Sequence, residues 1–207
     1  MVKPAIVHIV DDDANTVKPI AMVVEMVGLK AETYRSAEEF LNKYRRTGPA
    51  CLVLDVWMPE MSGVALQQRL AEAEIGIPTV VITAHADVRL AVQTLRNGAL
   101  NFLEKPFRMQ ELTDSIQEAI RLDRETWRRR EAEEDAKTRF AQLQPPERQV
   151  MELVVAGKTN KMIGKELGIS VRTVENRRAR IMKKLQVQSR AELLALVASD
   201  NLTPCAS

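Results

Sequence analysis

Residues 5–13 read AIVHIV followed at once by Asp11-Asp12-Asp13. A short apolar run rich in β-branched residues is the pattern of a buried strand. Three acids directly after it mean that the strand delivers carboxylates to its own C-terminal end. An amphipathic stretch from Ala14 to about Val27 follows and is closed by Gly28, which reads as a helix. The same alternation then repeats outward. Lys30–Tyr34 reads as a strand, and Ser36-Ala-Glu-Glu39 is a capping box in which Ser36 and Glu39 satisfy free amides at a helix start. Cys51–Leu54 and Thr79–Ile82 are further strands with helices between and after them. Asp87 caps a helix that Gly98 ends, and Asn101–Glu104 makes a fifth strand. Met109–Leu122 is again amphipathic, with Leu112, Ile116, Ala119 and Ile120 on one face. Five β-then-α units predict an α/β domain built on a doubly wound parallel sheet with helices on both faces. The strand order 2-1-3-4-5 is one common arrangement of that class.

In such a sheet the carboxyl ends of the strands form the ligand crevice. Asp55 ends the third strand, Thr83 the fourth and Lys105 the fifth, so residues about a hundred positions apart meet Asp11–Asp13 at one rim. Clustered carboxylates make a hard, oxygen-rich site suited to Mg²⁺. A carboxylate can also attack phosphorus, and the transferred phosphoryl group then needs a cation, an ammonium and a hydroxyl around it. Taken singly, each residue has a plainer role: the acids as helix caps, Asp55 in a turn, Lys105 as surface charge. Four of them at four strand ends with compatible chemistry favour a site.

The chain has 207 residues, 45% of them hydrophobic and 28% charged, which suits packed domains and not disorder. Its longest apolar runs, such as Thr79 to Ala84 and Ala191 to Ala198, are far too short to span a bilayer. The N-terminus lacks the apolar core of a signal peptide. Cys51 and Cys205 stand alone and read as reduced thiols. A cytoplasmic setting with no membrane partner is expected. Residues 1–122 carry 13 Lys/Arg against 16 Asp/Glu, residues 123–140 carry six of each, and residues 141–207 carry 11 against six. The basic excess at the end points to a polyanion partner there.

From Asp123 to Arg139 nearly every residue is charged, with Trp127 an exception, which reads as a solvated helix extending from Leu122. Pro145-Pro146 then opens a small all-α module. Glu147–Ala156 is amphipathic, Thr159 caps a short helix ended by Gly168, and Ser170 caps a longer one through about Leu185. Two helices joined by a tight glycine-containing turn fit helix-turn-helix geometry. The second carries Arg172, Asn176, Arg177, Arg178, Arg180, Lys183 and Lys184, with Val174, Ile181 and Leu185 free to face inward. Such a helix suits the major groove of double-stranded DNA.

These residues carry a resemblance. Ile-Val-Asp-Asp-Asp, Leu54-Asp-Val-Trp-Met-Pro59 with Ser62-Gly63, Thr83-Ala-His85 and Lys105-Pro-Phe107 resemble the flavodoxin-like receiver domain of two-component response regulators over residues 5–122. Glu147-Arg-Gln-Val150, Gly157-Lys-Thr-Asn160, Leu167-Gly-Ile-Ser170 and Thr173-Val174 resemble the LuxR-type effector domain. Together they are similar to the NarL/FixJ family of transcription regulators. The expected domains are a receiver at 1–122, a charged helical linker at 123–142 and a helix-turn-helix domain at 143–207. The resemblance implies that Asp55 accepts phosphate from a sensor histidine kinase. Asp11, Asp12 and Asp55 would hold Mg²⁺ with the backbone carbonyl of Trp57. Thr83 and Lys105 would contact the phosphoryl group, Phe102 would be the aromatic switch, and Lys105-Pro106 would be cis. Lys161, Arg172, Thr173, Asn176, Arg177, Arg180 and Lys183 would face DNA. Phosphorylation would drive homodimerisation, and RNA polymerase would be a further partner. Catalysis would go no further than self-phosphorylation from small donors and self-dephosphorylation.

Some positions are read apart from the family pattern. Trp57 and His85, each two residues beyond a site residue, are expected to flank the pocket, and His8 to be structural. Gln144 stands where relatives usually have threonine, which would weaken the first cap of the last module. Two alternatives stay open. One is a magnesium-dependent phosphohydrolase, against which Trp57 occupies the place where a second catalytic acid would stand. The other is a DNA-binding protein indifferent to phosphate.

Overall fold

In the computed structural model, which describes residues 3–85 and 87–199, the chain divides into two compact units between Arg128 and Arg129. The first holds β1 (Ile6–Val10), α1 (Ala14–Met26), β2 (Lys30–Tyr34), α2 (Ala37–Lys43), β3 (Ala50–Asp55), α3 (Gly63–Glu72), β4 (Thr79–Thr83), α4 (Val88–Arg96), β5 (Ala99–Glu104) and the first part of α5 (Met109–Ala141). The five strands are parallel in the order β2-β1-β3-β4-β5. Every residue of β3 and β4 is buried, which is the condition of central strands covered on both faces. Alternation along each strand divides the cores. Val7 and Ile9, Cys51 and Val53, Val80 and Ile82 pack with Ile20 and Val24 of α1 and with Leu112, Ile116, Ala119 and Ile120 of α5. Leu52 and Leu54 turn the other way, onto Phe40 of α2 and Leu66 and Leu70 of α3. The sequence-predicted face of residues 109–122 is therefore the one that is buried.

Boundaries differ from the sequence reading where tertiary contacts decide them. β5 begins at Ala99 instead of Asn101. Thr79 pairs with Ala99 and Val80 with Asn101, so Leu100 is an extra residue in the ladder, and this bulge lets the strand start early. In the box at α2 the Ser36 hydroxyl accepts the Glu39 N–H at 3.1 Å as expected. The Glu39 carboxylate, however, takes the N–H of Arg35, at 2.7 Å, and not that of Ser36. The charged stretch after Leu122 is helical, continuing α5 to Ala141, but its first residue is not solvated. Asp123 is buried, accepting the N–H of Ala50 at 2.7 Å and the guanidinium of Arg46 at 2.8 Å. Trp127, one turn on, lies under the cations of Lys3 and Arg46.

The second unit contains the end of α5 with α6 (Pro145–Val155), α7 (Asn160–Leu167), α8 (Val171–Leu185) and α9 (Arg190–Ser199). Ala136 and Phe140 of α5 join Val150, Val154, Ile163, Val174, Ile181, Leu185, Leu193 and Val197 in one core. Pro145 and Pro146 sit in the first turn of α6, where a missing N–H costs nothing. The expected weakness at Gln144 is compensated. Glu147 accepts the Gln144 N–H at 2.8 Å and is itself held by Lys184 of α8 at 2.6 Å.

Cys51 lies at the centre of the sheet, and burial raises its thiol far above the ordinary range. Cys205 falls outside the described residues. His8 is structural, as its mid-strand place suggests. It is buried among Tyr34, Phe40 and Tyr44, with Nδ1 3.0 Å from the Tyr34 hydroxyl. Burial lowers its pKa from 6.5 to about 4, against the opposing charge of Glu32. The unfolded chain therefore binds this proton at a higher pH than the folded one. The stability it contributes is complete above 6.5 and is lost as pH falls through 4. Between pH 7 and pH 5 the loss should be about 2 kcal/mol. His8→Gln should lose less stability over that interval in urea titrations followed by tryptophan fluorescence. Both tryptophans lie in the first unit, so the signal reports it alone.

Candidate functional site

The strand order reverses at β1, which has β2 on one side and β3 on the other, and this opens a crevice beyond their carboxyl ends. Asp11 immediately follows β1 and Asp55 is the last residue of β3. One oxygen from each of Asp11, Asp12 and Asp55 lies within 4.8 Å of the others. Asp11 and Asp55 are buried, whereas Asp12 is exposed. Backbone amides fix the two buried carboxylates. Asp13 donates its N–H to Asp11 Oδ1 at 2.8 Å, and Trp57 donates its own to Asp55 Oδ2 at 2.8 Å. Gly63 is required by close approach, because a Cβ there would stand 2.2 Å from the Asp55 carbonyl oxygen.

Lys105, just past β5, reaches both buried acids. Its Nζ is 2.8 Å from Asp11 Oδ2 and 2.9 Å from Asp55 Oδ1. The Lys105–Pro106 bond is cis, and the Lys105 N–H donates to the Thr83 carbonyl at 2.7 Å. Burial pushes the Asp55 pKa up, against the hydrogen bond and charge of Lys105 and with the help of Asp11. Burial alone would lower Lys105, but its hydrogen bonds to Asp11 and Asp55 outweigh that and raise it. The ammonium thus stays charged. Three carboxylates against one ammonium leave excess negative charge in a partly dry site, and oxygen donors suit a hard divalent cation best. The residues present fit Mg²⁺.

The structure brings Asp11, Asp12, Asp55 and Lys105 together. Thr83 is fully buried beside them at the end of β4, but its hydroxyl engages the backbone of His85, accepting that N–H at 3.3 Å. Phe102 of β5 is half-buried against Val56, Val81, Ala99, Val64 and Leu90. The Trp57 ring is 60% exposed and His85 is exposed too, so neither is consumed by the core.

In the second unit Ser170 caps α8, accepting the Thr173 N–H at 3.1 Å, and Gly168 turns the chain with φ 64°. Gly164 in α7 is another close approach, since a Cβ would lie 2.8 Å from the Ile169 carbonyl. Val174, Ile181 and Leu185 are buried as the sequence suggests. Arg172, Asn176, Arg180 and Lys183 are exposed, Thr173 and Arg177 half-buried, and Lys161 exposed at the start of α7. Two cations of the predicted basic helix are used internally instead. Arg178 donates to Asn160, and Lys184 binds Glu147 and the Gln142 carbonyl. Sequence reasoning missed Lys158 and Arg190, which line a recess of about 550 Å³ with Lys161 and Arg178. Arg190 comes from another helix, and no local pattern marks it.

Comparison with known proteins agrees over both units. Residues 7–117 match the response regulator receiver domain and residues 141–197 the bacterial regulatory proteins of the luxR family. Nodulation protein W of Bradyrhizobium diazoefficiens is 39% identical over 93% of this chain and 85% of its own length. The transcriptional regulatory protein FixJ of Rhizobium meliloti is 38% identical over 96% and 97%. Among solved structures, the response regulator StyR superposes with a TM-score of 0.87 at 39% identity, covering 95% of this chain and 99% of its own. With its receiver-type sheet and its helix-turn-helix unit, the chain belongs to the two-component response regulators of the NarL/FixJ family and is a transcription regulator of that kind.

Proposed function

We propose that Asp55 is the phosphoacceptor, supplied by a sensor histidine kinase, and that its phosphorylation controls DNA binding by the helix-turn-helix unit. The carrying observation is the Lys105 ammonium bridging Asp11 and Asp55 at 2.8 and 2.9 Å. It keeps an acceptor carboxylate ionised in a buried place and sits where phosphoryl oxygens arrive. Mg²⁺ held by Asp11, Asp12, Asp55 and the Trp57 carbonyl would neutralise charge on the transferred group. An Asp55 oxygen attacks phosphorus, its new O–P bond forming as the P–N bond to the donor histidine breaks. Lys105 then shifts its hydrogen bond from the carboxylate to a phosphoryl oxygen. The Thr83 hydroxyl leaves the His85 backbone to donate to another, and Phe102 follows it inward. A face on α4, β5 and α5 then favours a homodimer, which makes the second DNA contact intramolecular.

On DNA, Lys161, Arg172, Thr173, Arg177, Arg180 and Lys183 would contact the duplex, and Asn176 would read a base edge. Receiver, linker and DNA-binding roles fall to residues 1–122, 123–142 and 143–207, the end of which lies outside the described residues. Promoter control implies RNA polymerase as a partner and the cytoplasm as the setting. Among the described residues no helix is long and apolar enough to cross a membrane. Self-phosphorylation from small donors and self-dephosphorylation complete the proposed activity.

With Mg²⁺ and acetyl phosphate the protein should gain one acid-labile phosphoryl group, measured by intact mass, and Asp55→Asn should gain none. Asp12→Ala should weaken Mg²⁺ binding at least tenfold in a tryptophan-quenching titration, since the cation loses an oxygen ligand and a neutralising charge. Phosphorylated full-length protein should bind a cognate duplex more tightly than the unphosphorylated form at one fixed salt concentration. Equal affinity and equal oligomeric state would leave a phosphate-indifferent regulator. Asn176→Ala should cost about 1–3 kcal/mol on the preferred site. Lys183→Ala should weaken all sequences alike and flatten the salt dependence.

A further inference from the structure

A groove of about 270 Å³ opens from the acid site along the β1–α1 loop and the end of β2. Asp11 and Asp12 belong to both, so groove and acid site are continuous. Its lining also carries charge of the opposite sign. Lys18, on α1, and Arg35, next after β2, both line it and both are exposed. Two nearby acids have other hydrogen-bond partners, although the charge of Arg35 also acts on Glu39. The Asp13 carboxylate takes the Asn15 N–H and the Thr16 hydroxyl, and Glu39 takes the Arg35 N–H and the Lys43 ammonium. One small groove is therefore lined both by acids of the site and by two exposed cations. Its volume is just below the roughly 300–1,000 Å³ of drug-sized sites.

We propose that, among small acyl phosphate donors, this groove selects those whose leaving group carries a second negative charge, with Lys18 and Arg35 as the specificity-determining residues. The inference rests on Asp55 being the acceptor. In the transfer from an acyl phosphate, an Asp55 carboxylate oxygen forms the new O–P bond. The P–O bond to the acyl group breaks, and its electron pair leaves with the departing carboxylate. No redox partner or extra proton is needed. A second carboxylate on that leaving group gains an ion pair with these cations. A neutral group of the same shape gains nothing there.

The test compares two donors of one shape, 4-carboxybenzoyl phosphate and its neutral isostere 4-carbamoylbenzoyl phosphate, on the full chain with Mg²⁺ at fixed ionic strength. The readout is the ratio of their labelling rate constants, in which intrinsic reactivity cancels between variants. An exposed ion pair corresponds to about 1.5- to 5-fold. The ratio should thus fall about 1.5- to 5-fold in Lys18→Ala and in Arg35→Ala, and further in the double variant. Lys18→Arg and Arg35→Lys should restore it, and Lys18→Glu should push it below the alanine variant. A ratio unchanged in the double variant would overturn the selection while leaving Asp55 in place. Labelling by neither donor, or labelling that persists in Asp55→Asn, would remove the acceptor reading and the selection with it.

Discussion

The Lys105 ammonium lies between two buried carboxylates that would otherwise repel each other in a site shielded from water. Its place is set by β5, whose end is tied to β4 through the Lys105 N–H and the Thr83 carbonyl. The acids are set independently, by the ends of β1 and β3 and by the N–H groups of Asp13 and Trp57. Three strands must hold register for one ion triad to exist. The parallel sheet, buried on both faces at β3 and β4, is what gives them that rigidity. The triad also carries one negative charge more than its single ammonium balances.

The helical unit reaches its geometry by different means. Glycines at 164 and 168 let α7 and α8 meet closely, one by admitting a carbonyl where a Cβ would collide and one by taking a left-handed turn. Glu147 then does two jobs, closing the first turn of α6 and anchoring α8 through Lys184. The face of α8 left to solvent holds Arg172, Asn176, Arg180 and Lys183. A rigid helix with such a face offers its side chains without further ordering.

Much of this was legible in the chain. The central strands and their acids could be read because short β-branched apolar runs and strand-end carboxylates are local signals, and Asp87, Ser170 and Gly168 act as their types suggest. What could not be read depends on partners distant in sequence. Asp123 resembles the other charges of its stretch until Ala50 and Arg46, more than 70 residues away, surround it. Arg178 and Lys184 look like groove-facing cations until Asn160 and Glu147 claim them. The direction of the Thr83 hydroxyl toward His85 is likewise a matter of loop geometry and not of residue type.

Cys51 is the second residue of β3, the central strand, fully enclosed and four residues before Asp55. Because burial keeps it protonated and out of reach, a thiol reagent can modify it only when the strand's neighbours part. Its alkylation rate therefore acts as a built-in clock for opening events at the centre of the sheet. Any ligand that stabilises the closed rim would slow that clock, with no residue changed.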